Sequence, residues 1–360
     1  MSQLTIGFIS QDWSKFSDSR IPNGCTWYRC VLPSNALNAL GHQTHVGAAA
    51  VLGKDKFGLL DDLNKIVSGH KILVFKLPMH ISNLKGAEIA IASGQKIVVD
   101  IDDWFDNLPE TNRAKQITDP EANPTNNRNI YFAVIELAHA LICSTPFLRD
   151  YYTTKYPGKP VFMVRNSIDI KRWPNRKTRK SVPTIGWVGA TPWRANDLEQ
   201  LSTFFNQYLI NSKNKFHHSG HIDKAPIAAQ LLGITSKSTA EPMKPITELP
   251  SLFERMDIGI VPLNNIEFNY AKSYLKGLEY AAAGIPFVSS YSPEYEFLAD
   301  SGIGRVANSV EEWIYHLDEL QDFALRDDEA KINKEIIYEQ FSIDKKVNEW
   351  ADVYKKIMDL

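Results

Sequence analysis

Short apolar runs alternate with segments of helical spacing along most of the chain, and this alternation limits the possible folds more than any other feature. Leu4–Ser10, Lys71–Phe75, Lys96–Ile101, Ala140–Cys143 and Val161–Val164 read as strands. Between the first two, Val31–Gly41 carries Leu32, Ala36, Leu37 and Leu40 at helical spacing, and Gly41 supplies a stop. Ser144-Thr145-Pro146 has the cap-then-proline order that opens a helix. The pattern restarts at Thr184–Gly189. A helix near Asn196–Leu209, a strand near Lys215–His218 and another at Asp257–Pro262 follow. Lys272–Ala283 predicts a helix ended by Gly284, then come the strand Ile285–Ser290 and a last helix near Asp344–Asp359. Alternating β and α elements imply parallel sheets with helices on both faces. Such sheets bind ligands beyond the carboxyl ends of their strands.

Between the two runs lies Lys171–Lys180 (KRWPNRKTRK), with six basic residues and no acid. Its Pro174-Asn175 pair breaks regular structure, so it reads as a linker between two halves that flank a cleft. A chain of 360 residues fits two domains at about 150 residues each. The expected boundaries are 1–172, 173–340 and a final helical segment 341–360. A net charge of −2 excludes a globally basic protein but leaves room for a local basic strip. Three cysteines are too few for a disulfide framework and lack zinc-site spacing, which suits a reducing compartment. The N-terminal MSQLTIGFISQDW has no basic start and no cleavage site, so it reads as a first strand rather than a signal peptide. No run approaches the roughly 18 apolar residues of a membrane span. Cytoplasmic location and no integral membrane contact are the expectations. The dinucleotide, P-loop and nucleophile-elbow signatures do not occur, which disfavours common dehydrogenases, NTPases and hydrolases.

Tyr270–Ser290 (YAKSYLKGLEYAAAGIPFVSS) is the most informative stretch. On a helix over Lys272–Ala283, Lys272, Lys276 and Glu279 share one face, and Leu275, Leu278 and Ala282 share another. Lys272 and Ser273 then occupy a first turn, where unpaired N–H groups and the dipole favour an anion. Glu279 lies roughly 10 Å further along the axis. That spacing suits a diphosphate at the helix start and ribose hydroxyls at the carboxylate. It equally suits an ordinary solvated face with a Lys276–Glu279 pair.

This stretch resembles the donor-binding motif of GT-B fold glycosyltransferases, especially glycosyltransferase family 4, in which a helix Glu precedes small residues, Gly-x-Pro and a strand. Here these are Glu279, Ala281–Ala283, Gly284, Pro286 and Phe287–Ser290. The resemblance implies that Glu279 binds the donor ribose and that Lys272 and Ser273 contact the diphosphate. The family often carries a second Glu eight residues earlier; this chain has Ala271 there, which leaves sugar recognition and the anomeric outcome open. Gly24-Cys25-Thr26-Trp27-Tyr28-Arg29, followed by a helix ending in Gly41-His42, is similar to the family's N-terminal glycine loop and first helix. Gly24 would let the backbone approach donor phosphates or the sugar, and Arg29 would pair with a phosphate or the acceptor. Ile185–Gly189 and Ala190-Thr191-Pro192-Trp193-Arg194 resemble the strand and loop that open the family's second domain. The diphosphate contacts implied there are Gly189, Thr191 and Arg194. Pro262 would end a strand near the nucleotide.

Three carboxylates, Asp100, Asp102 and Asp103, cluster in IVVDIDDWFD at a strand's end. They can hold a cation, bind acceptor hydroxyls, supply a base or cap a turn. Asp102, Asp103 and Arg29 are the candidate catalytic residues. His217-His218-Ser219-Gly220-His221 does not read as a metal site, because adjacent strand residues face opposite ways.

The resemblance implies the GT-B fold and transfer of a sugar, a UDP-hexose with retention, from a nucleoside-diphosphate donor to an acceptor hydroxyl. It implies neither a metal nor a tightly bound cofactor. The G-C-x-W-Y-R and D-I-D-D segments also resemble bacteriophage glycosyltransferases, some of which act on hydroxymethylated DNA bases. In that case the site is the host cytoplasm. Lys171, Arg172, Arg176, Lys177, Arg179 and Lys180 would follow a DNA backbone, and Trp27, Tyr28 or Trp173 would stack on a flipped base. A 5-hydroxymethylpyrimidine in DNA is the sharpest acceptor expectation. Alternatives are a glycan or lipid-linked acceptor, a nucleotide-sugar epimerase and a non-catalytic binder.

Overall fold

A computed structural model describes residues 3–16, 19–48, 69–174 and 178–360. The chain divides into two compact units, one of Met1–Leu108, Ala114–Ser167 and Ile343–Leu360, the other of Pro109–Arg113 and Ile168–Ser342.

The first unit is built on β1 (Thr5–Ser10), β4 (Gln43–Ala48), β5 (Ile72–Lys76), β6 (Lys96–Ile101), β7 (Ala140–Cys143) and β8 (Val161–Met163). They form one parallel sheet in the order β4-β1-β5-β6-β7-β8. β2 (Trp13–Phe16) and β3 (Ser19–Pro22) pair as a separate antiparallel hairpin. The central strands β5 and β7 are buried at every position, which is why their sequences run apolar rather than alternating. The order reverses between β1 and β5, so the switch point of this sheet lies at Ser10 and Lys76. The last helix, Ile343–Met358, buries Val347, Trp350, Ala351, Tyr354 and Ile357 at helical spacing. Trp350 lies over the Arg29 guanidinium at 4.6 Å, and Tyr354 meets Phe8 edge-on at 6.1 Å.

The second unit holds β9 (Thr184–Val188), β10 (Lys215–His221), β11 (Ser238–Pro242), β12 (Ile258–Val261), β13 (Phe287–Ser290) and β14 (Arg305–Ala307). Their order is β11-β10-β9-β12-β13-β14, all parallel. The switch point lies between β9 and β12. Ile185, Leu198, Leu201, Phe205, Ile258 and Val288 belong to its core on one face of the sheet.

Two helices depart from expectation. The segment near Asn196–Leu209 is two helices, Ala195–Glu199 and Phe205–Ser212, separated by turns. Ser202 Oγ donates to Glu199 O at 2.6 Å, a local bond that competes with a continuous ladder. The expected helix at Lys272 begins at Leu275, with Tyr274 as its N-cap. Lys272 and Ser273 instead lie in a connector after the short helix Glu267–Tyr270.

Candidate functional site

At the second unit's switch point, β9 runs into Gly189, whose N–H donates to Ser219 O at 2.9 Å. His218 grips the other side of this residue. Its Nε2 lies 2.9 Å from Gly189 O, while its Nδ1 accepts from Ala228 N–H at 3.2 Å. Nδ1 is an acceptor only when unprotonated, so Nε2 carries the proton given to Gly189 O. Burial first, and then His221 and His217 nearby, push the His218 pKa down to about 4 despite the bond to Gly189. The ring also packs on Trp187 at 5.0 Å. A Cβ at Gly220, where φ is +99°, would sit 2.9 Å from Gly189 O. The loop after β9 is therefore held tightly by its neighbours, with glycine needed where two backbones meet.

Because the native His218 is neutral and the unfolded one has an ordinary pKa of 6.5, the unfolded chain binds more protons between these values. Stability should therefore fall as pH drops from 7 to 5, by about 2 kcal/mol from this side chain. Urea unfolding at both pH values, compared with His218→Gln, checks this: the variant should lose that part of the pH dependence.

Further along the loop, Thr191 is buried and its hydroxyl donates to Pro226 O at 2.7 Å. That bond anchors the loop and occupies the hydroxyl proton. Arg194 is about one-third exposed, and its Nη1 lies 3.3 Å from Asp197 Oδ2. Pro262 is buried directly after β12, and the next residue, Leu263, donates its N–H to Ser290 Oγ at 3.0 Å. Lys272 Nζ lies over the Phe268 ring at 4.2 Å.

Glu279 is buried on the helix Leu275–Ala282, and Lys276 Nζ donates to its Oε2 at 2.5 Å. The next residue, Tyr280, fixes this helix to the sheet. Its hydroxyl accepts from Val188 N–H and donates to Gly186 O, each at 3.1 Å. Tyr295, from the following helix, packs edge-on against Phe287 at 6.3 Å. Burial raises the pKa of its phenol, Arg194 lowers it and Glu279 raises it.

In the first unit, several expected site residues have other work. Arg29 is fully buried. Its Nε and Nη2 donate to Asp100 at 3.0 and 2.8 Å, and its Nη1 donates to Val164 O at 2.7 Å and Asn166 Oδ1 at 3.1 Å. These bonds commit its donors within the protein, so it pairs with neither a phosphate nor an acceptor in this structure. Burial works against its charge, but Asp100 outweighs this and raises its pKa. Lys76, also buried, contacts Asp100 Oδ1 at 3.4 Å and is hydrogen-bonded to Asp102. For Asp102, burial opposes ionisation, yet Lys76 prevails and holds the carboxyl below its usual range. Asp103 Oδ1 accepts from Trp104 N–H at 3.0 Å, the turn-capping alternative. The acidic cluster is thus neutralised mainly by two buried cations of the protein. Among the described residues, no group of three His, Cys, Asp or Glu is placed to hold a metal.

At Gly24 a Cβ would meet nothing within 4 Å, so no close approach within the protein requires glycine there. Tyr28 is buried and Trp27 half-buried, so Tyr28 cannot stack on a base as placed. The same holds for Trp173, which packs edge-on against Phe253 at 5.2 Å. The basic strip is partly used internally. Arg172 donates to Ile246 O, Arg179 Nε to Asp257 Oδ1 at 2.8 Å, and Lys180 lies over Phe323 at 5.3 Å. Lys171 is exposed, whereas Arg176 and Lys177 lie outside the described residues. Sequence reasoning missed Lys76, although a lysine closing an all-apolar strand run is a visible signal, and it missed Asp197 and Asn269.

No protein-family model and no curated protein sequence matches the chain. Solved structures do. Sucrose-phosphate synthase from Thermosynechococcus elongatus aligns at a TM-score of 0.65 and 12% identity, covering 99% of this chain and 100% of that one. A glycosyltransferase from Rickettsia africae aligns at 0.66 and 12%, covering 99% of each. HepE from Anabaena, solved with UDP and glucose, aligns at 0.64 and 12%, covering 98% of this chain and 100% of that one. At this identity the likeness concerns architecture, and the chain has the GT-B fold of these glycosyltransferases.

Proposed function

We propose that this chain is a glycosyltransferase that takes a hexose from UDP-hexose and passes it to an acceptor hydroxyl. One observation carries the reading: the loops after β9 and β12, on either side of the switch point where ligands of such sheets bind, are joined through Asp197, which meets Arg194 Nη1 at 3.3 Å and accepts from Asn264 N–H at 2.9 Å. HepE, which shares the fold, was solved with UDP and glucose. In this reading Glu279 accepts hydrogen bonds from the ribose hydroxyls, and Arg194 offsets diphosphate charge. Lys272 and Ser273 approach the diphosphate from the connector, while the first N–H groups of Leu275–Ala282 add their dipole. Gly189 and Pro262 shape the floor. Positive charge set in place before reaction stabilises the departing diphosphate. The first unit holds the acceptor, transfer proceeds with retention, and no metal is required.

For the acceptor, the internal bonds of Arg172, Arg179 and Lys180 and the burial of Trp173 take away much of what favoured DNA. A glycan hydroxyl is therefore the acceptor proposed first. 5-Hydroxymethylated DNA remains the second, carried by Lys171, Trp27 and the resemblance to phage enzymes. A panel of UDP-, GDP- and ADP-sugars, each with oligosaccharides or with hydroxymethylated or plain DNA, tests both. UDP release stimulated by an oligosaccharide is expected. Stimulation only by hydroxymethylated DNA would replace the glycan with the base. Conversion of the donor without any acceptor would indicate an epimerase, and no turnover of any donor a binder.

A further inference from the structure

Asp197 is buried, lies within the second unit and has no role in the donor contacts described above. Its carboxylate joins the loop after β9, three residues upstream, to two points of a segment 67 and 72 residues further on. Oδ1 accepts from Asn264 N–H at 2.9 Å, in the loop after β12, and from Asn269 Nδ2 at 2.7 Å, in the short helix before the connector. Oδ2 faces Arg194 Nη1 at 3.3 Å, in the loop after β9. Asn269 closes the arrangement by donating also to Asn264 O at 2.9 Å.

A carboxylate taken out of water is costly unless several donors meet it. Here a backbone N–H, a side-chain amide and a guanidinium do so, and charge-assisted bonds of this kind are the stronger ones. An apolar residue would fill the same volume but could join none of these segments. The two loops leave the strands on either side of the switch point, and the third segment leads to the helix that carries Glu279.

We infer that Asp197 is a positioning residue for the nucleotide: it sets the loop after β12 and, through Oδ2, aims the Arg194 guanidinium at the diphosphate. This rests on the donor site proposed above. Arg194 itself makes the contact, and Asp197 acts through it.

Asp197→Asn separates the two parts of this role. The amide oxygen can still accept from Asn264 and Asn269, while the amide NH2 turned toward Arg194 presents a donor to a donor. Calorimetric titration with UDP is the measurement, on four proteins: wild type, Asp197→Asn, Arg194→Ala and the double variant. Asp197→Asn should weaken UDP binding about tenfold when Arg194 is present, the size of one charge-assisted bond. It should change binding less than about twofold in the Arg194→Ala background, because coupled residues are non-additive. A purely structural role would weaken binding equally in both backgrounds, and that result would overturn the inference. Wild-type affinity in Asp197→Asn would overturn it too. Both leave the donor site standing, whereas a wild-type chain that binds no nucleotide overturns the donor site and this inference together.

Discussion

Asp100→Ala is expected to lower the stability of the first unit by about 3–5 kcal/mol. The network around it balances two buried cations, Arg29 and Lys76, against Asp100 and Asp102. Removing one carboxylate leaves a guanidinium at the centre of the unit with its principal partner gone. The remaining acceptors, Val164 O and Asn166 Oδ1, are neutral. Burial already disfavours the charge on Arg29 and on Lys76, and it is the carboxylates that reverse this. Urea unfolding monitored by tryptophan emission checks the value, since Trp350 rests on Arg29 and reports on this unit. Asp100→Asn should fall between wild type and alanine, because it keeps an acceptor but not the charge. A change below about 1 kcal/mol in Asp100→Ala would mean that the network is no more than a surface pair in energy.

Glu279→Ala is the substitution expected to damage function most, with UDP affinity falling about a hundredfold. Charge-assisted bonds to ribose hydroxyls contribute on the order of 1.5–3 kcal/mol each, and alanine removes the acceptor altogether. It also leaves Lys276 without the carboxylate it now meets at 2.5 Å. Tyr280, the next residue, still ties the helix to the sheet, so the fold should survive. Glu279→Gln keeps an acceptor and should lose less. Calorimetric titration of UDP into the two variants, with circular dichroism as a control for folding, gives the comparison. Undiminished affinity in Glu279→Ala would remove the ribose from this residue.

Elements buried on both faces were legible from sequence. β6 coincides with the apolar run Lys96–Ile101, and β7 with Ala140–Cys143. Thr145 caps the helix Pro146–Lys155 through its side chain, as the cap-then-proline order implies. Elements without an apolar run were not legible. β4 reads QTHVGA and alternates exposed and buried residues at its start, and the edge strand β11 reads STAEP with a mostly exposed surface. The start of the Glu279 helix is not legible, because Lys272 fits a helical face as well as Lys276 does. What ends the pattern is tertiary: Asn269 is bonded to Asp197, and the chain turns before it can enter the helix.

The site was legible in part. Glu279 and Arg194 stood out because of their place relative to glycine, proline and strand runs. The charges of Arg29 and Asp100 are ordinary in the sequence; only the sheet brings them together, from positions 71 residues apart. Asp197 lacks a motif of its own, and two of its three partners, Asn264 and Asn269, are visible only after folding.

The central claim is that nucleotide binds at the carboxyl ends of β9 and β12. Hydrogen exchange of the full chain, with and without UDP, tests it most directly. Bound UDP should slow exchange in residues 189–194 and 262–279 and leave the strands of the first unit unchanged. Slowing confined to the segments around Lys76 and Asp102, with none in the second unit, would contradict it.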